Sequence, residues 1–299
     1  MISDAAKGFH ELLGALPTSD TPPSIEEQRA ASEGWTLATG EPEGVSYQPV
    51  DAAGVRAEWA IPAGADASRA LLYLHGGGYT VGSIASHRKL VGHLAKAAGV
   101  RGFSVEYRLA PEHPFPAGLE DAVTAYGWLL EQGLSPAHVG IGGDSAGGGL
   151  ALATALALRA RGLPAPAGLV LLSPWTDLAA TGQSLETNAS TDLILRGFST
   201  DDAGVRRYSG DEDLKNPLVS PLYGDFSDFV GFIVHVGGDE MLLDDSTRLA
   251  QRASAAGCDA TIHVWPEMQH VFQIAAGNVP ESDASVSELG AWLSDRLAD

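Results

Sequence analysis

Residues 139–161 read VGIGGDSAGGGLALATALALRAR, and the meaning of that stretch decides the fold. A short apolar strand, Val139 to Gly142, leads into Gly143-Asp144-Ser145-Ala146-Gly147, which fits G-x-S-x-G. An alanine-rich helix pattern, Gly147 to Arg161, follows at once. In this strand–turn–helix setting the serine occupies a sharp, strained turn, exposed above the end of a sheet. Strand and helix backbones nearly touch there, so side chains at the two flanking positions would clash, which accounts for Gly143 and Gly147. The helix N-terminus also places a favourable dipole beneath any negative charge that develops on the serine. A phosphate loop would need G-x-x-x-x-G-K-[ST], and no lysine follows here, nor is there a G-x-G-x-x-G.

Working outward, short apolar runs alternate with helical patterns. The runs are residues 70–74, 102–107, 139–142, 169–172, 232–236 and 261–265; the helix patterns cover 87–98, 118–132, 147–161, 245–256 and 282–297. That alternation implies βαβ units and a mostly parallel sheet covered on both faces. Residues 45–50 and 55–61, around the turn at Ala53-Gly54, predict a hairpin before it. At the start, Phe9, Leu12, Leu13 and Leu16 predict one stripe of an amphipathic helix stopped by Pro17. Ser24 with Glu27 reads as the capping box of a second helix, after Pro22 and Pro23. Residues 178–214 form a polar stretch with no strand pattern, a length of connection that is usually functional or disordered.

The chemistry needs more than a serine. His75-Gly76-Gly77-Gly78 follows the strand at 70–74. Glycines there let backbone amides approach a tetrahedral oxyanion, and the expected donors are Gly77, Gly78 and Ala146, the residue after the nucleophile. A serine hydroxyl also needs a base, and the base an acid to orient it, in chain order serine, acid, histidine. Asp239 lies just after the run 232–236 and His270 just after the last predicted strand, so these two complete the expected triad with Ser145. Glu240, Asp244 and Asp245 lie close to Asp239, and the last two read as helix N-terminal charges. His235 and His263 fall inside predicted strands, and the remaining histidines lie early in the chain.

Composition narrows the classes. The 299 residues suit one large domain, and a net charge of −20 excludes nucleic acid and anionic membranes as partners. Lysine occurs only at Lys7, Lys89, Lys96 and Lys215; an acidic, lysine-poor surface fits salt adaptation or, more simply, an acidic cytoplasmic protein. Cys258 is the sole cysteine, so no internal disulfide can form. No H-x-x-x-H or H-E-x-x-H spacing suggests a metal, and no cofactor is expected. The N-terminus lacks the apolar core of a signal peptide, no run is long enough to span a membrane, and a cytoplasmic location is expected.

Four motifs in order, namely 75–79, the segment YRLAPEHPFP at 107–116, 143–148, and the late acid and histidine, resemble the bacterial hormone-sensitive-lipase-like esterases. The resemblance implies an α/β-hydrolase fold with an eight-stranded, mostly parallel sheet and a helical cap. The cap would comprise residues 1–44 and an insertion at about 179–216, and the catalytic domain 45–299. It implies cofactor-free hydrolysis of small short-acyl esters, and members often form homodimers. The run at 238–245 further resembles monoterpene ε-lactone hydrolases, which keeps lactones open as substrates. Arg108 and Glu112 match a segment whose role in the family is structural. Plant gibberellin receptors resemble the same family but lack the catalytic histidine and bind without turnover; His270 places this chain on the enzyme side. The stripe of the first helix and Leu193, Ile194 and Leu195 would then roof and line an acyl pocket.

Overall fold

Eight strands build one sheet in the computed structural model, which describes residues 1–16, 23–196 and 202–298. They are β1 (Val45–Ala52), β2 (Val55–Pro62), β3 (Asp66–Leu74), β4 (Val100–Val105), β5 (Val139–Asp144), β6 (Gly168–Leu172), β7 (Phe232–Gly237) and β8 (Ala260–Trp265). The spatial order is β1-β2-β4-β3-β5-β6-β7-β8. The hairpin β1–β2 is antiparallel and joins β4 antiparallel, while β4 through β8 run parallel. The helices among the described residues are α1 (Asp4–Gly14), α2 (Ile25–Ser32), α3 (Ile84–Ala98), α4 (Ala117–Glu131), α5 (Ala146–Ala160), α6 (Ser184–Thr187), α7 (Asp202–Ser209), α8 (Leu243–Ala255) and α9 (Pro280–Arg296).

The central strands are buried on both faces, which is why their sequences read as unbroken apolar runs instead of alternating ones. Along β3 the side chains divide by parity. Ala70, Leu72 and Leu74 join the core under α4, α5 and α8, while Leu71 and Tyr73 join the core under α3 and α9. Helices on both faces thus hold the carboxyl ends of β3, β5, β6, β7 and β8 at one rim of the sheet, and every candidate catalytic residue lies just beyond that rim.

The N-terminal helices and the connection between β6 and β7 attach to that rim. α1 rests on the segment after β8: Ala6 is buried against Met268, Phe272, Ala275 and Val279, with Ile2 and Phe9 beside it. The predicted stripe is therefore rotated. Leu12 and Leu16 are 70% and 57% exposed, and the covered face is Ala6, Phe9 and Leu13, at i, i+3 and i+7. The predicted stop at Pro17, and Pro22, lie outside the described residues. The capping box at Ser24 and Glu27 is present and starts α2. Arg29 on α2 reaches the core through both Glu112 oxygens (2.6 and 2.9 Å) and the carbonyls of Thr80 and Ala110.

The rotated stripe has a measurable consequence. Phe9→Ala is expected to cost about 1–3 kcal/mol of unfolding free energy in urea. Leu12→Ser should stay within about 0.5 kcal/mol of the parent.

Candidate active site

Ser145 stands between β5 and α5 with φ 52° and ψ −123°, a left-handed backbone that costs a non-glycine residue about 1–3 kcal/mol. Neighbouring strands hold it there. Ser145 N–H donates to Leu172 O (2.9 Å), and its carbonyl accepts from Trp175 N (2.8 Å) and Gly149 N (3.1 Å). The two flanking glycines are sterically obligatory. A Cβ on Gly143 would lie 2.4 Å from Gly147 O, and one on Gly147 would lie 2.0 Å from Leu74 O.

The loop after β3 is tied to this elbow by the residue that precedes the serine. Asp144 Oδ1 accepts from Tyr73 Oη (2.8 Å) and Gly76 N (3.0 Å), and Oδ2 pairs with His87 Nε2 (3.2 Å). Burial alone would raise the Asp144 carboxyl, but the His87 charge and the hydrogen bonds from His87 and Tyr73 outweigh it and hold it below the ordinary value. His75 stacks on Tyr107 at 4.4 Å and takes Tyr107 Oη on its carbonyl (2.7 Å). Burial, reinforced by His87, pulls His75 down to about 4, so this ring is neutral. Gly77 and Gly78 have φ of 118° and 59°. Among the described residues, the amides of Gly77, Gly78 and Ala146 donate to no protein acceptor. These amides are left available to an oxygen from outside the chain.

The carboxylate beside His270 is not the one expected. His270 Nδ1 bonds Glu240 Oε1 at 3.0 Å, and both side chains are almost wholly buried. Asp239 does not share this contact. Its amide donates to Met268 O (3.2 Å), its carbonyl accepts from Thr191 Oγ1 (3.0 Å), and burial raises its half-buried carboxyl. Both residues lie in the turn after β7, and that turn brings only one of the two carboxylates to His270. Glu240 takes that place, and its Oε2 accepts from Ser173 Oγ (2.6 Å) and Gly237 N (2.8 Å). Ser173 Oγ in turn accepts from Val271 N (3.0 Å), which joins Glu240 to the loop carrying His270. Burial opposes a charge on His270, but the Glu240 carboxylate outweighs it and holds the imidazole above its ordinary value, with smaller contributions from Asp192 and Asp144. Nδ1 is committed to Glu240, so Nε2 is the nitrogen able to take a proton.

No single-sequence signal separates Asp239 from Glu240, and none marks Ser173. The other candidates fall into supporting places. Arg108 clamps Asp121 and Glu112 clamps Arg29, which draws the Glu112 carboxyl down to about 2. Asp244 and Asp245 open α8 as expected. Each also holds backbone amides of the β6–β7 connection, Gln183 and Ser184 on Asp244, Thr176 and Asp177 on Asp245. Cys258 is free, and burial raises its thiol. Among the described residues one group of metal-binding types converges, namely His235, His263 and Glu288. Trp265 Nε1, which can only donate, bonds His235 Nδ1 (3.1 Å). The proton of this ring therefore sits on Nε2, the atom facing Glu288 at 3.7 Å that a metal would have to displace it from.

Residues 71–274 match the family model described as alpha/beta hydrolase fold. The chain is 45% identical over 241 residues to an acetyl-hydrolase from Streptomyces hygroscopicus, covering 79% of each. It superposes on an esterase of the bacterial hormone-sensitive lipase family with a TM-score of 0.93 and 39% identity, covering 100% of both chains. A crystal structure of EstE5 soaked with p-nitrophenyl butyrate matches with a TM-score of 0.93 and 37% identity, over 99% of this chain and 100% of that one. No described helix is long and apolar enough to cross a membrane.

Ser173→Ala strips a donor from a buried carboxylate and an acceptor from the Val271 amide. The expected loss is about 2 kcal/mol of unfolding free energy, read from the urea midpoint.

Proposed function

This chain belongs to the bacterial hormone-sensitive-lipase-like family of α/β-hydrolases, and on that premise we propose that it cleaves short-acyl esters with Ser145, His270 and Glu240. It is a serine hydrolase of carboxylic esters acting on small molecules. The observation that carries the assignment of residues is the Glu240–His270 contact at 3.0 Å on the rim that presents Ser145.

In the proposed reaction His270 Nε2 takes the hydroxyl proton of Ser145 as Oγ attacks the ester carbonyl. Glu240 keeps the proton on Nδ1, and so the lone pair on Nε2, and it stabilises the imidazolium that forms. The tetrahedral oxyanion is received by the amides of Gly77, Gly78 and Ala146; each such donor is worth about 3 kcal/mol of barrier. The imidazolium then hands its proton to the leaving alkoxide, the C–O bond breaks, and the acyl group stays on Ser145. Water repeats the sequence, with His270 as its base, and releases the acid. No cofactor enters this scheme.

Half-buried Leu193, Ile194 and Leu195 support an apolar wall for the acyl chain. A closed wall favours acyl groups of about two to six carbons. The soak of EstE5 with p-nitrophenyl butyrate, a four-carbon acyl ester, agrees in kind.

Ser145→Ala is expected to abolish hydrolysis of p-nitrophenyl acetate, and turnover at the parental rate would sink the assignment. Glu240→Gln should lower kcat by about a thousandfold or more, whereas Asp239→Asn should stay within about threefold of the parent. The base works only when neutral. Because His270 is held above the ordinary 6.5, kcat/KM should fall as pH drops through a value higher than that. Removing the Glu240 charge should move this limb to lower pH.

A further inference from the structure

The β6–β7 connection does more than cross the rim, because residues 188–196 are bonded to both catalytic loops. Asn188 Nδ2 donates to the carbonyls of Gly238 (3.2 Å) and Glu240 (3.0 Å), and Thr191 Oγ1 donates to Asp239 O (3.0 Å). On the base side, Gln269, next to His270, accepts Leu193 N on Oε1 (2.6 Å) and donates through Nε2 to Thr191 O (3.2 Å). At the centre lies Asp192, 1% exposed. Its Oδ1 accepts from Ile194 N (2.9 Å) and Leu195 N (2.7 Å), and its Oδ2 accepts from Met241 N (2.7 Å), the amide that follows Glu240.

A buried carboxylate is expensive unless its lone pairs are answered, and among the described residues backbone amides of two separate segments answer it. A charge is not needed to make a turn, since an uncharged polar residue does that in most loops. What the charge adds is stronger bonds to both segments, two from amides of the apolar wall and one from the acid loop. We infer that Asp192 is a positioning residue of the esterase reaction, fixing the Leu193–Leu195 wall and the Glu240 loop as one unit so that acyl selectivity and triad geometry share a support. Gln269 makes the equivalent tie to the base loop. The inference rests on the proposed role of Ser145, Glu240 and His270 and on the reading of residues 193–195 as the acyl wall.

A displacement of the reacting groups by about 1 Å costs roughly 100-fold in rate, so a modest loosening at Asp192 is readable in kcat. The groups whose charge bears on His270 are Glu240, Asp192 and Asp144, all buried. Loss of one negative charge lowers the imidazole, which shifts the acidic limb of kcat/KM to lower pH.

The test compares the parent with Asp192→Asn, Asp192→Ala and Gln269→Leu on p-nitrophenyl acetate, butyrate, hexanoate and octanoate across the pH range, with thermal melts to confirm folding. For Asp192→Asn the inference expects kcat to fall by about 10- to 100-fold, the acidic limb to move down, and the acetate-to-hexanoate preference to change in the same variant. Gln269→Leu should change kcat and chain-length preference without moving the limb as far. Folded variants that keep the parental limb and the parental chain-length ratio would overturn the inference, even if they melt earlier. If the Asp192 variants do not fold, hydrogen exchange on the parent decides. The amides of Leu193, Ile194, Leu195 and Met241 should exchange together, and a wall that exchanges far faster than Met241 refutes the shared support. The parent's own turnover, with stoichiometric labelling of Ser145 by an organophosphate, tests the underlying reading separately. An active, labelled parent with indifferent variants would sink only the inference.

Discussion

A carboxylate with no exposed surface must have its lone pairs answered from within, and Glu240 meets that demand with three donors from three places in the chain. His270 follows β8, Ser173 follows β6, and Gly237 closes β7. The charge therefore acts as a knot that draws the ends of three neighbouring strands together. Removing one partner of such a buried pair typically costs about 3–5 kcal/mol, because the remaining charge is left unanswered. The rim owes its geometry to this requirement as much as to the apolar cores beneath it. Ser145 is held against the same rim through Leu172 and Trp175, on either side of Ser173.

The same reasoning separates buried histidines that would otherwise look alike. His75, His235 and His270 are each no more than 3% exposed. Burial drives His75 to about 4 and His235 to about 3. His270 goes the other way because a buried carboxylate stands 3.0 Å from its ring. The nearest carboxylate to His235, Glu288 at 3.7 Å, is itself 46% exposed, so water weakens its pull. Position relative to a desolvated charge, and not burial, distinguishes a ring able to cycle a proton from one that stays neutral.

This distinction explains what could be read from the sequence. The elbow was legible because it is a steric demand, and steric demands leave a residue signature: Gly143 and Gly147 can be nothing larger. The parallel sheet was legible from apolar runs, and the histidine that meets a buried carboxylate from its place after the last strand. The carboxylate paired with His270 lies one residue past the expected one. Asp239 and Glu240 carry the same charge at the same strand end, and only the turn that points one inward tells them apart. The first helix was misread for a related reason. With leucines on two faces, its sequence permits two registers, and the contact with Met268 and Phe272, more than 250 residues away, selects the one that leaves Leu12 outside. Ser173 carried no signal at all, because a serine after a strand is common and its value lies in what it happens to touch.

The seat of α1 also sets an order of events during synthesis. Its anchors are as distant in sequence as Ser3 and Glu281, which are 278 positions apart. An isolated helix of 11 residues is marginal in water, so α1 has no partner while the intervening chain emerges. The serine elbow, built from β5 and α5, can form long before the segment bearing the histidine exists. On the proposed assignment, a growing chain thus carries a nucleophile without its base until the segment after β8 has been made. Such late closure of a long loop belongs to the slow end of folding, since its entropy is spent before its contacts repay it.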